Sequence, residues 1–149
     1  MNNNYFLRRD FDNFEELADN LRLWNIQINQ LEAGEKTHSL TQLSVGNTSI
    51  AYGIFTGRTH QVGDPPTMGT IAFHAGQNSS LVWRKQNVPH NSLMIFPNKS
   101  ELDAVTKGLL NNVYTISIPI HILKFLLGTQ KNKEIIISTS QNIATLQQI

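Results

Sequence analysis

The sequence predicts a mainly β protein, an all-β sandwich or barrel, with one helix before the strands and another after them. From Trp24 onward, apolar and polar residues alternate over short runs, which is typical of half-buried strands. Turn residues such as Gly46-Asn47 separate these runs at short intervals. Hydrophobic residues make up 40% of the 149 residues and charged residues only 15%, so one compact domain can bury a sizeable core.

The first helix is predicted between Phe11 and Leu23. Asp12 lies at its start and Glu15 follows three residues later, which is the spacing of a capping box. Apolar side chains recur at helical spacing, so we expect one face to pack on the core. That face comprises Phe11, Phe14, Leu17, Ala18 and Leu21. Residues 1–10 are interpreted as a flexible N-terminus.

Alternation and turn residues together predict a series of short strands. The segment Gly57–Pro66 is rich in glycine and proline and is therefore predicted to be a surface loop. Spacing of this kind indicates a sandwich or barrel. The predicted strands are Trp24–Leu31, Leu40–Val45, Thr48–Phe55, Thr67–Ala75, Leu81–Arg84, Ser92–Phe96, Glu101–Val105 and Val113–Ile118.

A second helix is predicted after the strands, beginning near Pro119 and ending at Gly128. It carries a stripe that either lies on the barrel as a lid or forms a helix of a dimer interface. The candidate interface residues are Ile120, Leu123, Lys124 and Leu127. The polar segment 129–149 is interpreted as a linker.

Several classes of site are disfavoured by the residues present. There is no cysteine, which excludes disulfides and thiolate metal sites. None of the five histidines has a histidine or carboxylate two residues away, the usual spacing of metal ligands on a strand, so no metal site is predicted. These histidines are His38, His60, His74, His90 and His121.

Catalysis and nucleic-acid binding are also poorly supported. The chain has neither the Gly-x-Ser-x-Gly elbow of serine hydrolases nor a glycine-rich phosphate loop. Glu101 and Asp103 share a strand face, as a glycosidase pair does, but charges that protect an edge strand explain them equally well. A net charge of +1 does not favour a nucleic-acid surface. We also expect no signal peptide and no membrane span, and hence a cytoplasmic protein.

The interior of the predicted barrel is the remaining candidate site, because small barrels either fill with side chains or leave room for one ligand. Aromatic residues with a polar tip are common in such pockets. The candidate ligand-binding residues are Tyr52, His74, Trp83 and Tyr114. An ordinary role for the aromatic residues in the core deserves equal weight.

Several segments resemble the N-terminal domain of AraC-type transcription regulators, in the branch that contains ethanolamine-utilisation regulators. The similar segments are Phe11–Leu17, Trp24, Gln30–Gly34, Leu40–Leu43, Gly69–Phe73, Trp83–Gln86, Ser92–Pro97 and Glu101–Asp103. The resemblance implies a cupin-like jelly-roll barrel, the double-stranded β-helix, at residues 11–128. It also implies a domain that senses a small-molecule effector or forms a homodimer.

In that family, DNA is bound by a C-terminal pair of helix-turn-helix units, which this sequence lacks. Residues 129–149 are accordingly expected to lead toward an absent DNA-binding domain. The histidine and glutamate cluster of metal-binding cupins is missing as well, so we expect no cofactor and no enzymatic activity. Two alternatives remain open: a metal-dependent cupin enzyme, and a free-standing barrel that binds a small molecule or carbohydrate.

Overall fold

The computed structural model describes residues 4–75, 80–89, 92–96, 101–108, 110–128 and 135–138. It contains helices α1 (Phe14–Asn20) and α2 (Ile120–Leu127). Its strands are β1 (Tyr5–Phe11), β2 (Asn25–Gln30), β3 (His38–Val45), β4 (Thr48–Thr56), β5 (Thr59–Asp64), β6 (Gly69–His74), β7 (Ser80–Trp83), β8 (Gln86–Val88), β9 (Ser92–Phe96), β10 (Leu102–Lys107), β11 (Leu110–Ile118) and β12 (Ile135–Ser138).

The strands form two antiparallel sheets. Sheet A has the order β1-β3-β4-β11-β6-β9-β12, and sheet B has the order β2-β5-β10-β7-β8. From β4 to β11 the chain passes back and forth between the sheets, so that β4-β11-β6-β9 lies opposite β5-β10-β7-β8. This is a jelly roll of eight strands, the architecture that cupins share with lectin and capsid domains. The predicted mainly β fold with two helices is confirmed, as two facing sheets.

Helix α1 begins later than the capping-box spacing predicts. Asn13, not Asp12, is the N-cap, and its side-chain oxygen accepts a hydrogen bond of 2.8 Å from the backbone N–H of Glu16. Phe11 belongs to β1, where it is buried. The helix ends at Asn20, and the apolar face of Phe14 and Leu17 is buried as expected.

Residues 5–10, which the sequence suggests are flexible, lie in strand β1. This strand pairs with β3 from Tyr5 opposite Ser44 to Phe11 opposite His38. The charged residues from Arg8 to Asp10 hide the alternation of this strand, because the apolar residues that pack on the core lie on either side of them. An edge strand tolerates such charges, since one of its sides meets solvent.

The predicted loop Gly57–Pro66 contains strand β5, which pairs with both β2 and β10. Gly63 explains the error. Its φ of +141° is a conformation that other residues rarely adopt, and a Cβ there would lie 2.2 Å from the carbonyl oxygen of Asn25. The glycine therefore marks a close approach of two strands and not a loop.

The core fills the space between the sheets in two clusters. One joins α1 to β1, β3 and β4 and includes Phe11, Leu17 and Leu40. The other joins sheet B to β6 and β9. Trp24 and Ile26 pack against both clusters, so the beginning of β2 links them.

Helix α2 follows Pro119 and ends at Gly128, as predicted, and it packs on β6. Leu123 is buried against Gly69, where a Cβ would lie 2.3 Å from the leucine Cδ2 atom. Of the predicted interface stripe, Leu123 is thus already used within the chain, Ile120 and Leu127 are half-buried, and Lys124 is exposed. The apolar residues that face solvent are Ile122, Phe125 and Leu126.

Part of the predicted linker also belongs to the sheet, because β12 pairs with β9 from Ile135 opposite Ile95 to Ser138 opposite Ser92. Residues 129–134 and 139–149 of that linker lie outside the described residues. Neither of the two helices that the structure describes has the length and apolar character needed to cross a membrane.

Candidate functional site

A cavity of about 60 Å³ lies between the inner faces of the two sheets. By the volume that one water occupies, it has room for about four waters or a ligand of a few heavy atoms. Sheet A supplies Phe55 and Met94 to its wall, and sheet B supplies Leu81 and Leu102. Trp24, which follows α1, completes the lining. A molecule in this cavity would therefore touch both sheets at once.

The walls of the cavity are almost entirely apolar. Polar side chains enter the lining at three positions, Gln61, Thr106 and Thr115. The first two hydrogen-bond within the protein: Gln61 Nε2 donates to Thr59 Oγ1 at 3.2 Å, and Thr106 Oγ1 lies 2.6 Å from the same atom. Among the described lining residues none is ionisable. The cavity therefore suits an uncharged, mainly apolar molecule, because a buried charge without a partner is costly.

Small residues create the open space. Ala51, Gly53, Ala72 and Ala104 line the cavity at inward positions of three strands, β4, β6 and β10. At Gly53 a Cβ would lie 2.8 Å from the ring of Phe55, so the glycine makes room for that ring. Larger side chains at these positions would fill the cavity, as side chains do in most small barrels.

Two of the predicted ligand residues lie on the opposite side of sheet A. Tyr52 and Tyr114 stack with ring centroids 4.4 Å apart on its outer face, and Tyr114 is 43% exposed. Their predicted position in the interior is wrong, because strand alternation turns Ala51 and Thr115 inward instead. Burial, together with the hydrogen bond and charge interaction with Tyr114, raises the pKa of Tyr52.

The other two predicted residues are internal but do not line the cavity. His74 is buried, with Nε2 3.4 Å from Oδ1 of Asn111. Trp83 packs on Phe96 at a ring distance of 4.6 Å, and Phe96 does line the cavity. Among the described residues the Trp83 Nε1 atom has no hydrogen-bond partner. The four candidates thus lie in three places, on the outer face of sheet A, on its inner face and in sheet B. They form no common site.

None of the residues that line the cavity is among the four ligand-binding residues predicted from the sequence, because that prediction was based on aromatic side chains with a polar tip. The signal that could have found them is the run of small residues at alternating strand positions, such as Ala51 and Gly53. Where a strand that is otherwise rich in large residues carries small ones, its side chains do not reach the opposing sheet, and a space remains between the two sheets.

His38 is a buried imidazole. It stacks on Phe14 with ring centroids 3.6 Å apart, and its Nδ1 accepts a hydrogen bond of 3.2 Å from the backbone N–H of Thr56. Burial, and then the positive charge of Lys36, lowers the pKa of His38. Protonation would place a proton on the nitrogen that accepts this bond, so the neutral form matches the packing.

The other histidines do not converge. Across the described part of the chain, no three histidine, aspartate or glutamate residues are placed to hold a metal ion together. His90 lies outside the described residues. His60 pairs with Asp103 at 2.9 Å and Arg84 with Glu101 at 3.8 Å, in a shallow depression on the outer face of sheet B.

The two acids of that depression do not protect a sheet edge, because β10 lies between β5 and β7. Each of them has a basic side chain as its partner instead. The neighbouring hairpin between β7 and β8 turns through Arg84 and Lys85, which both adopt positive φ angles, of 48° and 64°. Such a turn matches the twist of the strands and directs both side chains toward this surface.

Comparisons with known proteins add little to this description. No protein-family model matches the chain, and no curated protein matches it. Among solved structures it is similar to vicilin from Corylus avellana (hazelnut), with 10% sequence identity and a TM-score of 0.40 over 92% of this chain. The similarity covers 51% of the vicilin chain, so this chain spans about half the length of that protein. The jelly roll is established by the strand order and not by this similarity.

Proposed function

We propose that this chain is the effector-binding domain of an AraC-type cytoplasmic regulator, and that its effector is a small, uncharged and mainly apolar molecule. The observation that carries the proposal is the apolar cavity between the two sheets, whose described lining has no ionisable residue. The resemblance to AraC-type regulators supports the regulatory role. DNA binding would belong to a separate domain, and the domain itself would act as a homodimer.

Strand β6 offers a route from the cavity to the rest of the regulator. Ala72 lines the cavity, and Gly69, three residues earlier on the same strand, holds Leu123 of α2. A ligand that displaces β6 would therefore also change the surface on which α2 packs. Coupling of this kind requires that the ligand bind two arrangements of the helix with different affinity.

The ligand class is tested by thermal unfolding with four probes small enough for the cavity: ethanol, n-propanol, acetate and ethylammonium. We expect the two neutral alcohols to raise the melting temperature and the two ions to leave it unchanged. At about ten times Kd, binding adds about 1.4 kcal/mol, which corresponds to about 3–6 °C for a domain of this size.

A cavity-filling variant supplies the control. Ala104→Leu places a larger side chain in the cavity and should abolish the response, whereas Ala33→Leu, at an exposed position, should keep it. Equal shifts with the charged probes, or a full response in Ala104→Leu, would contradict the proposed ligand class.

The regulatory role needs its own test. The chain is fused to a DNA-binding domain that represses a reporter only as a dimer, and repression is measured with and without the neutral probe. Repression that changes with the probe supports a sensor. If repression is unchanged while the thermal shift persists, the chain binds the ligand but does not transmit a signal to the DNA-binding domain.

A further inference from the structure

The outer face of sheet A carries two rows of apolar side chains that run across the strands. The first row is exposed at most of its positions, with Ile50 at 47%, Ile116 at 42% and Leu43 at 45%. The second contains the stacked tyrosines described above. In order across the paired strands, the first row is Phe6, Leu43, Ile50, Ile116 and Ile71, and the second is Tyr52, Tyr114, Phe73 and Leu93.

Helix α2 extends this apolar surface. Leu123 fixes the helix on Gly69, which lies two residues before Ile71 of the first row. Beside this contact the helix presents Ile122, Phe125 and Leu126 to solvent, with Phe125 83% exposed. A group of large apolar side chains exposed in this way is typical of a surface that contacts another molecule.

The face is free of charge in its central part. No Asp, Glu, Lys, Arg or His points outward from the described strands β3, β4, β6, β9 and β11. At the edge, Arg8 and Asp10 of β1 carry opposite charges. A face of this kind suits contact with a second copy of itself, because no unpaired charge would have to be buried in the interface.

The size of the face agrees with such a contact. The six strands from β1 to β9 span about 24 Å at the usual strand spacing, and their mean length of about seven residues is about 24 Å, which gives about 600 Å² per copy. Helix α2 covers part of this area at β6 and adds its own exposed side. A stable interface buries about 800 Å² per partner, and a monomer seldom exposes an apolar patch above about 600 Å².

We propose that a second copy of this chain binds to the outer face of sheet A and the adjoining exposed residues of α2, related to the first copy by a two-fold axis. This surface lies on the opposite side of sheet A from the cavity. The dimer therefore needs no ligand to form, and it is tested in the absence of the proposed effector.

The test is the mass of the protein in solution, measured by sedimentation velocity at micromolar concentrations without added ligand. We expect the wild-type chain to have twice the monomer mass. Ile50→Lys and Ile116→Lys should each weaken the dimer by about 100-fold or more, because each substitution places an unpaired charge in an apolar interface. Leu31→Lys changes an apolar residue of similar exposure outside this face and should leave the dimer intact.

A second variant and a stability measurement keep the test clear of folding defects. An Ile50→Glu variant should also be monomeric, and the melting temperatures of both variants show that they are folded. A dimer that persists in Ile50→Lys would overturn the proposed surface. A wild-type chain that stays monomeric would overturn the second copy as its occupant and leave a different protein as the partner.

Discussion

Replacement of Gly69 by alanine tests how α2 is held on sheet A. The added Cβ would lie 2.3 Å from Cδ2 of Leu123 and 2.9 Å from its Cβ. Carbon atoms in contact rest at about 3.5–4.0 Å, so the helix must retreat by about 1 Å or more. Overpacking of this kind costs about 1–3 kcal/mol. The loss cannot exceed the full value of the buried Leu123 side chain, which is about 2–5 kcal/mol.

The free energy of unfolding is measured by urea titration, with tryptophan fluorescence and far-UV circular dichroism as two probes. A double-mutant cycle gives the decisive comparison. Leu123→Ala removes Cδ2, the closer of the two atoms that the new Cβ of Gly69→Ala would meet, so the double variant should lose less stability than the sum of the two single variants. Additive losses in the free energy of unfolding would refute the idea that Leu123 packs into the space that Gly69 provides.

Two further outcomes are expected for buried polar residues. Because its pKa is lowered in the folded chain, His38 resists a proton that the unfolded chain accepts, so stability should fall as the pH drops below about 6.5, by at most about 1.4 kcal/mol per pH unit. Urea midpoints between about pH 7.5 and 5 should show a shallower fall in His38→Phe, and equal slopes would contradict this. Gln42→Leu should cost about 1–3 kcal/mol, because Gln42 bonds both the N–H and the C=O of Arg22, at 2.9 and 3.0 Å. The exposed substitution Gln27→Leu is its control, and equal unfolding midpoints in the two variants would count against this role.

The positions of most strands could be predicted because they depend on local pattern. The Gly46-Asn47 turn, for example, fixes the start of strand β4. The sequence predicts this strand at Thr48–Phe55, and in the structure it ends one residue later. Strands β1 and β5 were missed where charges or glycine hide the alternation. Their apolar contacts become visible only when the partner strand is known.

The candidate site was harder to predict, because alternation does not reveal which face of a strand is internal. In β4 both faces are apolar, with Ile50 and Tyr52 on one and Ala51 and Phe55 on the other. The larger aromatics were assigned to the interior, yet the structure turns the small residues inward. The outcome depends on which strands pair with β4, and that pairing is set by residues far away in sequence.

The position of β11 has a consequence for how the protein is made. This strand, the last of the jelly roll, inserts between β4 and β6, both of which leave the ribosome earlier. At about 5–20 residues per second, several seconds pass between synthesis of β4 and synthesis of its neighbour. During that time the facing edges of β4 and β6 are open templates for pairing with other chains. Folding should therefore be slow and prone to aggregation at high expression, and a slower rate of synthesis would not shorten that exposure.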